Sequence, residues 1–218
     1  MRPPSSPFLR RFSGWLLIAL LLGALAAQAS PVLSQSSVSS GGSTIYRLSS
    51  KSTFAHGCFA PCMCAMMEQG AERGTFILSY VGFDGLYSNY RIRDVNWTVS
   101  IPSGEVQVTG SGTYRVGGEF AIQQRLEMDL QVGSNPVEHF DSGFVAGGGF
   151  PQIAITISIH GQYCFDTVFG IDAAPVPDQE IIRYRLSDST FQRGCFDLCD
   201  CAIGPLLPLR GSFALVPL

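Results

Sequence analysis

The residues most able to do chemistry are seven cysteines: Cys58, Cys62, Cys64, Cys164, Cys195, Cys199 and Cys201. Six of them form two Cys-x3-Cys-x-Cys sets, and Cys164 stands apart. Such a set can form disulfides, hold a metal or exchange thiols. Zinc takes four thiolates, and Cys58, Cys62, Cys64 and Cys164 supply that number. The Cys-x2-Cys knuckles of most zinc sites are missing, however, and His56 beside the first set becomes Arg193 beside the second. Thiol exchange favours Cys-x-x-Cys at a helix start, where the N-terminus lowers the thiol pKa. Nothing around these cysteines marks a helix. Structural disulfides are therefore expected, with no metal and no cofactor.

On a strand, Cys62 and Cys64 point to the same face, as do Cys199 and Cys201, so each reaches a different partner more readily than its neighbour. Cys164 is a natural mate for one cysteine of the first set. The second set lacks such a mate, which leaves an odd thiol or a bridge between molecules. Connectivity stays open at this level.

Other chemistry-bearing residues are sparse. His56, His139 and His160 are the three histidines, and His139 neighbours Asp141. A hydrolytic triad needs a nucleophile, a base and an orienting acid converging in space, and the nucleophile-elbow pattern is absent. Glu105, Glu119, Glu127 and Asp129 could offer paired carboxylates, but alternation puts the last three on one solvent-facing side. No catalytic residue is assigned.

The compartment decides how the cysteines are read. Arg2, Arg10 and Arg11 precede an apolar run from Trp15 to Ala27, and Ala27-Gln28-Ala29 offers a signal-peptidase site. The run is too short for a membrane span. Ser13 and Gly14 disfavour twin-arginine export. Residues 1–29 are thus expected to be a cleaved signal peptide, which sends the chain to the periplasm or beyond, where disulfides persist. Residues 30–44, rich in Ser and Gly, form an expected flexible leader. With 14 Lys and Arg against 17 Asp and Glu, nucleic acid is not an expected partner. No membrane span is expected after signal cleavage.

The elements that must position these residues read as strands. From Glu119 to Val132 one face carries Phe120, Ile122, Gln124, Leu126, Met128, Leu130 and Val132. Ile153 to Ile159 and Val95 to Ile101 repeat the period of two, and Val106–Val108 and Tyr114–Val116 make shorter versions. Turn signals fall at 102–104, 110–112, 117–118, 133–136 and 147–149, and Ala-Ala-Pro-Val-Pro within 172–178 breaks regular pairing. The expected fold is all-β, an antiparallel sandwich or up-and-down barrel, with its domain at 45–173.

The chain also repeats itself. Aligning 46–81 with 184–218, with one gap at Ser50, gives 17 identities in 35 positions and keeps every cysteine spacing. Tyr46-Arg47-Leu48-Ser49 returns as Tyr184-Arg185-Leu186-Ser187, and Phe54 and Phe59 return as Phe191 and Phe196, expected core anchors. The copy at 180–218 is partial. It reads either as a truncated tandem of a unit spanning about 46–175 or as two more strands on the same sheet, the second being favoured because so short a unit should not fold alone.

A non-enzymatic exported module follows, with a binding or structural role at the envelope or outside the cell and a protein or small apolar ligand as partner. A barrel mouth lined by Trp97, Phe120 and Tyr114 would suit the ligand. The rivals are a secreted hydrolase or thiol-active enzyme and a cysteine-cluster metal protein.

Overall fold

A computed structural model describes residues 42–194 and 202–218. The expected signal peptide and most of the leader lie outside the described residues, as do Cys195, Phe196, Cys199 and Cys201. Ten strands form one antiparallel sheet: β1 (Ser43–Leu48), β2 (Thr53–Cys58), β3 (Met67–Phe83), β4 (Tyr87–Ile101), β5 (Gly104–Gly117), β6 (Gln123–Val132), β7 (Val137–Asp141), β8 (Val145–Ala146), β9 (Ile153–Ser158) and β10 (Phe165–Pro175).

The sheet closes on itself. β1 and β2 run end to end between β3 and β10, with β1 pairing Tyr46↔Pro175 and Tyr46↔Phe76, and β2 pairing Phe54↔Phe169 and Phe54↔Gly70. β7 and β8 likewise share one edge of β6. Counting each end-to-end pair once, the ten strands make a ring of eight staves in sequence order. β10 meets β9 along six residue pairs, whereas β7 meets β9 through Asp141↔Ser158 alone. Of the two expected architectures, the pairing is that of an up-and-down barrel.

Alternation fills the barrel. Trp97, Phe140 and Phe169 have no exposed surface, and Tyr46, Phe76 and Tyr114 join them in one buried cluster. Phe169 touches the rings of Phe54, Trp97 and Phe140 at 5.2, 6.0 and 5.3 Å. Side chains of this size pack an eight-stranded interior completely. Gln124, the one polar residue on the apolar side of β6, also points inward. Its Oε1 accepts from Tyr114 at 3.0 Å, and its amide donates to the carbonyls of Ala154 and Ala146 at 2.8 and 3.3 Å. Outward positions of β6 are Gln123, Arg125, Glu127, Asp129 and Gln131, the inverse of a lipid-facing strand.

Several sequence expectations change. The long strand begins at Gln123, because β5 ends at Gly117 and leaves nothing opposite 118–122. Phe120 and Ile122 are consequently exposed, at 96% and 54%. Gly110 to Gly112 is not a turn but the middle of β5. A Cβ at Gly110 or Gly112 would strike the backbone of Asp129 or Glu127, so glycine lets β5 and β6 approach. The expected break at 172 comes later, since β10 pairs with β1 through Pro175 and Val176 donates to the Ile45 carbonyl.

Among the described residues, the C-terminal copy does not extend the sheet. Its strands β11 (Ile182–Arg185), β12 (Ser189–Phe191), β13 (Leu207–Leu209) and β14 (Ser212–Leu215) pair as β11–β14 and β12–β13. The favoured reading of added strands is corrected by this arrangement: a closed ring offers them no edge.

Candidate functional site: the disulfide-bridged mouth

One end of the barrel gathers the first cysteine set, two histidines and a cleft. β2 runs out at Cys58, the chain loops through 59–66, and β3 begins at Met67. Opposite, β9 and β10 are joined by 159–164. Two disulfides fasten these loops: Cys58–Cys64, with Cα atoms 5.7 Å apart, and Cys62–Cys164, at 4.9 Å. Cys62 and Cys64 therefore take different partners, and Cys62 takes Cys164. Main-chain bonds reinforce the joint, with Cys58 N–H donating to Met66 O and Phe59 N–H to Cys164 O, both at 2.8 Å. Phe59 is half-buried, Phe54 is buried, and Phe191 of the copy is exposed, so only Phe54 of the three is a core anchor.

The second loop is organised by Asp166, a residue the sequence reading missed. Its carboxylate is buried and accepts backbone N–H bonds from Ile159, His160, Gln162 and Thr167 at 2.7–3.1 Å. A single Asp one residue inside a strand carries no sequence signature of this role, because its donors come from a loop whose path is unknown beforehand.

At this end of the barrel lies a cleft of about 510 Å³, walled by strand ends, by the β6–β7 turn at 133–136 and by Ile159 and His160 of the second loop. Phe54 and Thr167 face it from β2 and β10, with Ile101, Val106, Val132 and Ile159 among the apolar walls and Glu68 and Glu138 among the polar ones. His56 Nδ1 lies 2.8 Å from Thr167 Oγ1, and its ring meets Phe165 edge-on at 4.9 Å. Lysine and arginine are absent from the lining. On the two bridged loops, outside the cleft lining, Met63, Met66 and Tyr163 are exposed at 101%, 65% and 61%.

The remaining candidates are dispersed. His139 lies on β7 with Nδ1 2.8 Å from Asp129, not Asp141, which pairs with Arg125 instead. That Arg125 ion pair holds the Asp141 carboxyl below the usual range. His160 Nδ1 lies 3.2 Å from Phe165 O and 3.7 Å from Asp166. Neither histidine bonds a Ser or Cys side chain among the described residues. Glu105 pairs with Arg73 and Glu127 with Arg125 on the outer wall, and Glu119 lies in the β5–β6 turn. The mouth expected from Trp97, Phe120 and Tyr114 does not exist, since the first and third are sealed in the core and Phe120 projects from a turn. Among the described residues, no three His, Cys, Asp or Glu side chains converge as a metal would require, and no helix is long and apolar enough to cross a membrane.

Comparison with protein-family models, curated proteins and solved structures gives no match to this chain. What can be said of its role rests on its own residues.

Proposed function

We propose that this is an exported, non-enzymatic binding module that takes a small apolar ligand at its disulfide-bridged mouth. The observation carrying this reading is the cleft of about 510 Å³ at the barrel end that the two disulfides fasten, walled by the strand ends, the β6–β7 turn and Ile159–His160, above an interior already filled by aromatic rings. A packed barrel has no room for a guest inside, which leaves its rim. Ile101, Val106, Val132 and Ile159 supply the apolar wall such a guest would meet. With Glu68 and Glu138 in the lining and no Lys or Arg side chain, the cleft suits neutral ligands over anions. Export follows from the basic-then-apolar N-terminus and fits the two disulfides.

The test uses Nile red, a neutral apolar dye, and anilinonaphthalene sulfonate, an anionic one. Nile red should bind at one equivalent and be lost in Ile159→Glu, while the anionic dye binds far more weakly. Absence of Nile red binding to folded, oxidised protein would remove the ligand reading. N-terminal sequencing of protein recovered outside the cytoplasm should begin at Ser30, and an intact Met1 terminus would count against export.

A further inference from the structure

The side chains of the bridged-end cleft divide by their place around the ring. Ile101, Val106 and Val132 sit at the mouth ends of β4, β5 and β6, three neighbouring strands, and make one apolar wall. Glu68 on β3 and Glu138 on β7 flank that wall. The path β3–β4–β5–β6–β7 takes four steps around a ring of eight staves, so the two glutamates stand on opposite sides of the mouth.

Neither carboxylate is compensated. Glu68 lies opposite His56 and Glu138 opposite Leu130 in the strand ladders, and both are exposed. Among the described residues neither makes an ion pair or a side-chain hydrogen bond. The other titratable groups of the lining are already engaged. His56 Nδ1 lies 2.8 Å from Thr167 Oγ1, and His160 Nδ1 lies 3.2 Å from Phe165 O. Asp166 accepts its four backbone N–H bonds and adds a third negative charge. With neutral histidines and no Lys or Arg, the formal charges of this concave surface all have one sign, which concentrates cations there. A neutral guest seated against these walls takes water from two carboxylates without replacing it, whereas an ammonium group supplies the missing counter-charge. Phe165, 47% exposed in the same lining, also offers a cation its ring.

We propose, resting on the ligand reading above, that the cleft takes a cationic amphiphile, with its apolar chain on Ile101, Val106 and Val132 and its ammonium head between Glu68 and Glu138. The argument for this occupant is charge complementarity. The wall selects the chain by burial, and the two unpaired carboxylates select the head. The same arrangement rejects a fatty-acid-like anion of equal length, whose carboxylate would meet three groups of like charge.

The experiment is displacement of Nile red from the folded, oxidised full chain by three probes that share a decyl chain: decyltrimethylammonium, decanol and decanoate, each below its micelle concentration. The ammonium should bind about tenfold more tightly than the alcohol, the gain that two part-exposed ion pairs supply, and decanoate should bind most weakly. Glu68→Gln/Glu138→Gln should close the gap between ammonium and alcohol, with the near-ultraviolet circular dichroism of the barrel unchanged, and high salt should narrow it in the parent chain. Glu105→Gln, on the outer wall, should leave the gap open. Nile red binding with no preference for the ammonium would overturn this inference while the ligand reading stands. Absence of Nile red binding would overturn both. A preference that survives the double substitution would overturn the assignment of the head to these glutamates.

Discussion

Glu72 and Trp97 face the barrel interior from neighbouring strands, and neither Glu72 carboxylate oxygen nor the Trp97 Nε1 has a hydrogen-bond partner. Glu72 sits opposite Val99, two residues along β4 from Trp97. Burial pushes the Glu72 carboxyl well above its ordinary value, so the folded barrel holds it in its neutral form.

The sign of the consequence follows from linkage. A folded-state pKa raised above the unfolded one means that the native protein keeps a proton the unfolded chain releases. Stability is then fullest below the ordinary glutamate value of 4.5 and declines as pH rises toward the folded-state value. Glu72→Gln should flatten that decline, and Glu72→Leu, the residue that the copy carries as Leu209, should raise stability by about 1–3 kcal/mol at neutral pH. Urea titrations at mildly acidic, neutral and alkaline pH decide the matter. Equal slopes for wild type and Glu72→Gln would refute it.

Asp166 predicts a different loss. Asp166→Asn keeps an acceptor at Oδ1 for Ile159, His160 and Thr167 but sets an NH2 donor where Oδ2 accepts from Gln162, leaving that pair of donors opposed. The expected cost is about 1–3 kcal/mol, the range for leaving a buried donor unsatisfied. Protease sensitivity should appear between Ile159 and Cys164. An unchanged urea midpoint would show that the loop holds without this carboxylate.

The two bridges should contribute unequally. Cys62–Cys164 spans 102 residues and Cys58–Cys64 spans 6. Chain entropy assigns the longer loop about 5 kcal/mol and the shorter about 2. Cys62→Ser/Cys164→Ala should therefore lower the melting temperature more than Cys58→Ser/Cys64→Ala. Intact mass before and after alkylation of the unreduced chain should report three bridges and one free thiol, and seven alkylated cysteines would contradict the disulfide assignment altogether.

Arg125 and Asp141 form a two-pronged ion pair at 2.7 and 3.0 Å beside the single β7–β9 bridge. Because the Asp141 carboxyl is depressed, its contribution is present above the ordinary value of 3.8 and lost as pH falls below it. Both side chains are about 30% exposed, which limits the effect of Asp141→Asn to about 1 kcal/mol or less. That difference should vanish in strong acid, where wild type and variant carry the same charge. A persistent gap there would assign the loss to packing.

The strands of the barrel were legible where one residue type ran unbroken down one face. Ile153, Ile155 and Ile157 are all core residues, as are Val95, Trp97 and Val99. β3 was not legible, because its inward positions include Gly70, Glu72 and Gly74, which interrupt the apolar period. The Gly110–Gly112 segment misled for the same reason: glycine serves there to make room for β6, a fact that only the partner strand reveals. The cysteine partners were half legible. Spacing indicated that Cys62 and Cys64 take different mates, but choosing Cys164 for Cys62 required knowing that the β2 and β10 ends meet. The cleft was illegible, since its walls come from segments spread between residues 54 and 167.

The Cys62–Cys164 bond joins the end of the barrel's first stave to the start of its last. Every stave between them therefore belongs to one covalent loop. A single cut anywhere in that stretch would release no fragment, and both halves would stay tethered through sulfur. Such a ring tolerates a severed peptide bond without coming apart.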